Sequence, residues 1–152
     1  MMPKMIAFQE FEGVKAFLVT GEAFEEALRL NGRMHEVKSL ERLALEEPEQ
    51  AFECAKAVQR IALGLEPGFE LMERLSIIMN ELGKAFVVVR PASFKSGLLA
   101  SSEEEVARRV RECWALSYSG KALAEGRVKS STVSVFVCAA PEEVVIKTHS
   151  LN

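Results

Sequence analysis

Residues 85–90 read Ala85-Phe86-Val87-Val88-Val89-Arg90, an unbroken apolar run with three β-branched residues that ends on one cation. With no polar residue at alternate positions, such a run predicts a strand buried on both faces. Its exit is equally informative. Arg90 leads into Pro91-Ala92-Ser93-Phe94-Lys95-Ser96-Gly97, and the stretch from Pro91 to Ser101 reads as a loop. Downstream, Val133, Val135 and Val137 alternate with Ser134, Phe136 and Cys138, which is strand patterning. Ala139-Ala140-Pro141-Glu142 then reads as a turn, with Glu143 to Thr148 returning as the second strand of a hairpin. Upstream, Val14-Lys15-Ala16-Phe17-Leu18-Val19-Thr20 is another short apolar strand.

The intervening segments have helical spacing. Thr20 is placed to cap a helix whose first turns carry Glu22, Glu25 and Glu26 near the positive end of the helix dipole. Ala23, Phe24, Ala27, Leu28 and Leu30 form its apolar face, and Asn31-Gly32 stops it. A second helix is expected from Glu36 to Leu45. A third starts at Pro48, with Ala51, Phe52, Ala55, Val58, Ile61 and Ala62 inward. After the break at Gly64-Leu65-Glu66-Pro67-Gly68, the residues Phe69, Met72, Leu75, Ile78, Met79 and Leu82 mark another helix, ended by Gly83. Ser102 and Glu105 have the spacing of a capping box, opening a helix with Val106, Val110, Cys113 and Trp114 inward. Glu104–Arg108 and Glu105–Arg109 are spaced to pair on its outer face. The order strand, helices, strand, helix, two strands predicts an α+β fold. We expect a small mixed β-sheet with packed helices on one or both faces, residues 1–152 making a single domain.

Composition bounds the function. The chain has 152 residues, of which 49% are hydrophobic and 27% charged, ordinary globular values that argue against a disordered, collagen-like or mucin-like chain. Its net charge of −3 leaves no basic excess for a nucleic-acid backbone or an anionic membrane, so neither is expected as a partner. No apolar run approaches the roughly 20 residues of a membrane span. Met1-Met2-Pro3-Lys4 has no apolar stretch behind it, so no signal peptide is expected. Cys54, Cys113 and Cys138 form no C-x-x-C pair, which fits a reducing, cytoplasmic compartment. Each lies among apolar residues and reads as a small buried hydrophobe or a reactive thiol. His35 and His149 lack partners at metal-ligand spacing, so no protein-held transition metal is expected.

No G-x-x-x-x-G-K-[ST], G-x-G-x-x-G or G-x-S-x-G string occurs. The carboxylate runs Glu46-Glu47, Glu103-Glu104-Glu105 and Glu142-Glu143 read as solvated charges. Arg90 is different. Ligands in open α/β sheets gather outside the C-terminal ends of strands. An arginine there, followed by Ser93, Lys95, Ser96 and the backbone N–H groups near Gly97, can grip a phosphate through charge-assisted hydrogen bonds. The same pattern also fits a solvated strand-end arginine beside a polar loop.

Several strings resemble one family in its own order. Ala16-Phe17-Leu18-Val19-Thr20-Gly21-Glu22-Ala23-Phe24 is similar to "GFVIT-x-EAY" in the N-terminal nucleotide-binding domain of pyruvate phosphate dikinase and phosphoenolpyruvate synthase. Val87-Val88-Val89-Arg90 resembles that family's "VAVR", and Ala92-Ser93-Phe94 its "ASFAG". Glu112-Cys113-Trp114-Ala115-Leu116-Ser117-Tyr118 resembles "KCWASLF". Val133 to Val137 is similar to "AVVVQ-x-MV", and Pro141 to Thr148 to "PAEVSGVLFT".

The resemblance implies the first lobe of an ATP-grasp-type domain, ATP and magnesium as cofactors, and Arg90 as a ligand of ATP phosphates. Departures from the family are specific. The glycine-rich "GGKGANL" segment has no counterpart beyond Gly13-Val14-Lys15, the loop after Arg90 is shortened, and Cys138 replaces the glutamine of "VVVQ". The chain reaches Asn152 before any second lobe. We therefore expect a degenerate stand-alone homologue, not catalytic by itself, with residual nucleotide or phosphate binding at Arg90, Ser93, Lys95 and Ser96. The alternatives are one half of a split ATP-dependent phosphotransferase completed by a partner chain, or a self-associating α+β interaction module without nucleotide. A homo-oligomer is expected under each.

Overall fold

The computed structural model describes residues 6–11, 14–83 and 86–140. Five strands form one sheet: β1 (Ile6–Phe11), β2 (Val14–Val19), β3 (Val87–Pro91), β4 (Leu98–Ala100) and β5 (Val135–Ala139). Their order is β1-β2-β5-β3-β4. The α+β class and the packed helices agree with the sequence reading, but every strand pair is antiparallel, where a mixed sheet was expected. The reason is topological. A long helical crossover leaves β2 and β3 parallel to each other, and β5 inserts between them, antiparallel to both.

That insertion also bears on the expected hairpin. Phe136 pairs with Leu18 on one side and Arg90 on the other, and Cys138 pairs with Ala16 and Val88. Both edges of β5 are occupied, so it offers no free edge for a hairpin partner. Residues 143–148, read as that partner, lie outside the described residues. Two strands were not anticipated. β1 pairs with β2 along its length, and β4 arises inside the stretch read as a loop.

The helices are α1 (Gly21–Leu30), α2 (Met34–Glu46), α3 (Ala51–Leu63), α4 (Phe69–Leu82), α5 (Glu103–Leu116) and α6 (Gly120–Ala124). They pack on one face of the sheet, where Val19, Val87, Val89, Val135 and Val137 join the core. Helix side chains complete it, with the Phe24 ring 5.1 Å from Trp114 and 6.1 Å from Tyr118. Strand alternation puts Leu18, Val88, Arg90, Leu99, Phe136 and Cys138 on the opposite face, and none of these belongs to the core cluster. So β3 is not equally buried on its two faces. Val87, Val89 and Pro91 are buried while Val88 and Arg90 are half-buried, because the helical layer covers one side only.

Three residues assigned to inner helix faces are exposed: Leu30, Phe52 and Phe69. Leu30 and Phe69 stand at helix ends, and Phe52 lies just outside the Ala51-Cys54-Ala55-Val58 stripe. The cap of α5 forms, with the Ser102 hydroxyl accepting from the Glu105 N–H at 3.1 Å. The Glu105 carboxylate in turn accepts from the Ser101 N–H at 3.0 Å, which takes it away from Arg109. Arg109 instead donates through Nε to the Leu99 carbonyl at 3.1 Å and through Nη1 to Glu112 at 3.0 Å, tying α5 to β4.

Candidate functional site

Arg90 stands near the end of β3 on the sheet face away from the helices, directly across from Phe136 of β5. Its guanidinium carbon lies 4.7 Å from the centre of the Phe136 ring, a cation–π contact across the β3–β5 pair. Nη1 then turns back on the following chain. It faces the carbonyl oxygens of Pro91 at 3.5 Å and Ala92 at 3.4 Å, and makes a shorter bond to that of Phe94. The strand-end cation thus organises its own loop. The Ala92 N–H donates to Ser134 at 2.9 Å and the Phe94 N–H to Pro91 at 3.0 Å, so the first half of the loop is a bonded turn.

Ser93, Lys95 and Ser96 are exposed on the arc between that turn and Gly97. Gly97 is required by close approach. A Cβ there would lie 2.6 Å from both the Arg90 Cβ and the Val89 carbonyl oxygen. The arc therefore starts and ends against Arg90, with the three side chains exposed between those points. A groove of about 410 Å3 is lined by Asn31, Arg33, Glu36, Arg60 and Leu65 among others, and none of the four candidate residues contributes to it.

Cys138 is the neighbour that sequence reading did not connect to Arg90. It sits two residues along β5 from Phe136, on the same face. Burial pushes its thiol up, and the Arg90 guanidinium pulls it partly back through charge and a hydrogen bond. The net direction is upward, so the group is a neutral thiol at pH 7 rather than a ready nucleophile. Cys113 is pushed up to about 12, chiefly by burial, and Cys54 also lies above its ordinary value for the same main reason.

A second polar array lies within the helical layer. Glu41 of α2 is buried, and its Oε2 accepts from the Tyr118 hydroxyl at 2.7 Å and the Ser130 N–H at 2.8 Å. The Ser130 hydroxyl donates to Glu25 of α1 at 2.7 Å, and Lys38 pairs with the same Glu25 oxygen at 3.3 Å. Together they clamp the 3-10 turn Ser130–Thr132 onto α1 and α2. Gly21 admits this contact, since a Cβ there would meet the Ser131 carbonyl oxygen at 2.1 Å. Nothing in the local sequence marks Glu41 for this role.

The guanidinium and the hydroxyl and ammonium groups around it are donors, which suits phosphate or carboxylate oxygens. The four candidate residues include no carboxylate for a cation, so magnesium would come bound to the nucleotide's own phosphates. Among the described residues, no cluster of three or more His, Cys, Asp or Glu has metal-binding geometry, and no helix is long and apolar enough to cross a membrane. The chain matches no protein-family model, and a search of curated proteins returns no match.

Proposed function

We propose that this chain is a degenerate homologue of the ATP-binding lobe of phosphoenolpyruvate synthase and pyruvate phosphate dikinase. It carries out no phosphoryl transfer alone and keeps a weak phosphate-binding surface at Arg90, Ser93, Lys95 and Ser96. The observation that carries this reading is the position of Arg90. Its guanidinium lies on the sheet face opposite the described helices, 4.7 Å from the centre of the Phe136 ring, and the exposed residues Ser93, Lys95 and Ser96 follow it in the chain. The arrangement of the family-like strings supports it as well. Four of them fall on β2, β3 and β5, which are adjacent in the sheet, and on α5, whose Cys113 and Trp114 are fully buried in the core; Ala92 to Phe94 lies in the loop after β3, and Pro141 to Thr148 lies outside the described residues.

Charge-assisted hydrogen bonds contribute roughly 1.5–3 kcal/mol each. One guanidinium and one exposed lysine therefore predict a dissociation constant on the order of 0.1–1 mM for a triphosphate, not nanomolar binding. Calorimetry with Mg-ATP should give weak heat that disappears in Arg90→Ala. A flat titration at millimolar nucleotide removes the proposal. The same sheet face carries half-buried Leu18, Val88 and Leu99, which supports self-association as a second property of the lobe. Light scattering should show a dimer or larger species, and a strict monomer at high concentration rejects that part.

A further inference from the structure

We infer that residues 92–97 form a lid latched by the Arg90 side chain, and that an anion gains the full guanidinium only when the latch opens. The inference deepens the phosphate-binding reading and rests on it for the identity of the ligand. Three carbonyl oxygens, those of Pro91, Ala92 and Phe94, crowd one nitrogen, Nη1. A nitrogen with two hydrogens cannot satisfy three acceptors and a phosphate oxygen at once. The carbonyls also turn their negative ends toward the place an end-on anion would occupy. Loop carbonyls and anion therefore compete for the two donors of Nη1, one edge of a guanidinium that carries five.

The lid has anchors that do not involve the guanidinium. The Ala92 N–H is held by Ser134 on β5's approach, and Gly97 is packed against the Arg90 Cβ, the Val89 carbonyl and the Val88 side chain. Between these points residues 93–96 are exposed, and the contact from Nη1 to the Phe94 carbonyl spans the middle of the arc. Releasing that contact frees the second half of the arc, residues 95 and 96, while the Phe94 N–H bond to Pro91 keeps the turn and the pairings of β3 and β4 lie outside it. The freed donors of Arg90, together with Ser93, Lys95 and Ser96, can then turn to an anion.

The test is NMR of the full chain, following the backbone carbonyl carbon of Phe94, whose resonance moves upfield when a hydrogen bond to it is lost. Arg90→Ala and, as a milder variant, Arg90→Gln should each shift it upfield while the Ala92 N–H signal stays in place, which reports that the fold is intact. An unmoved Phe94 carbonyl in both variants overturns the latch. Inorganic phosphate titrated into the wild-type chain should drive the same resonance toward its position in Arg90→Ala. If the Lys95 and Arg90 side-chain signals respond to phosphate and the Phe94 carbonyl does not, the coupling is wrong while the phosphate site stands. If no signal in 90–97 responds, the phosphate site itself fails, and the latch is judged by the two variants alone.

Discussion

Glu41 and Arg90 each gather hydrogen-bonding partners around one charged side chain, and they do so in opposite ways. Glu41 is buried and draws its partners from 77 and 89 residues away, with Ser130 extending the array to Glu25 across 105 residues. Arg90 is half-buried, and the carbonyl oxygens it faces lie within four residues of it, with Cys138 of β5 as its one distant hydrogen-bonding neighbour among the described residues. A buried carboxylate that loses a donor is left with an unsatisfied oxygen and no water to replace the partner. A surface guanidinium that lets go of a carbonyl finds water or an anion at once. The first array therefore holds the fold together, and the second is free to change with ligand. Chemistry that must move belongs at the second kind of site.

The largest effect should come from breaking the buried array. Glu41→Ala strands both the Tyr118 hydroxyl and the Ser130 N–H, and opens a small void beside them. Leaving these two buried neutral donors without an acceptor costs about 1–3 kcal/mol each. Glu41→Gln keeps a carbonyl oxygen as acceptor and should cost about 1–2 kcal/mol. Urea denaturation measures both. A cost below about 1 kcal/mol for Glu41→Ala would remove the contrast with Arg90, since exposed groups show costs of that size.

A pH series sharpens the same contrast. Burial pushes the Tyr118 hydroxyl well above its ordinary value of 10.0, and the charge of Glu41, the hydrogen bond to it and the charge of Glu25 push in the same direction. The folded state therefore holds this proton more tightly than the unfolded chain. The contribution to stability is complete below about pH 10 and is lost as pH rises beyond it, with a slope of at most ~1.4 kcal/mol per pH unit from one group. Cys113, raised from 9.0 to about 12, acts with the same sign over its own range. The difference between wild type and Tyr118→Phe isolates the tyrosine. The variant should be about 1 kcal/mol less stable near pH 7 and show a shallower alkaline loss. Parallel curves for the two proteins above pH 10 would contradict the buried phenol.

How much of this was legible follows from the range of each interaction. The strands at 14–19, 87–91 and 135–139, the Ser102 cap and most helix faces are set by residues within a few positions of one another, and the sequence shows them. β4 was missed because Leu98-Leu99-Ala100 is only a strand when Val87–Val89 lies beside it. The antiparallel sheet was missed because no local pattern says that β5 will enter between β2 and β3. Arg90 could be found as a strand-end cation next to a polar loop, but its contact with Phe136 requires the β3–β5 register. Glu41 was invisible for the same reason in stronger form, since each of its partners is supplied by a distant part of the chain.

Arg90→Ala should cost less stability than Glu41→Ala. The half-buried side chain lies against the buried Phe136 ring and bonds to loop carbonyls, two of them at exposed residues. A cation–π contact between a buried ring and a half-buried guanidinium contributes about 1–2 kcal/mol, and the carbonyls released can be hydrated. Denaturation should therefore register a loss of about 1–2 kcal/mol, against more for Glu41→Ala. A loss as large as that of Glu41→Ala would mean that Arg90 is a structural clamp rather than a movable one. The loop would then be part of the fold, and the case for a ligand-responsive guanidinium would go with it. A small loss, combined with an altered Phe94 carbonyl, leaves the functional side of the comparison standing on Arg90 and the structural side on Glu41.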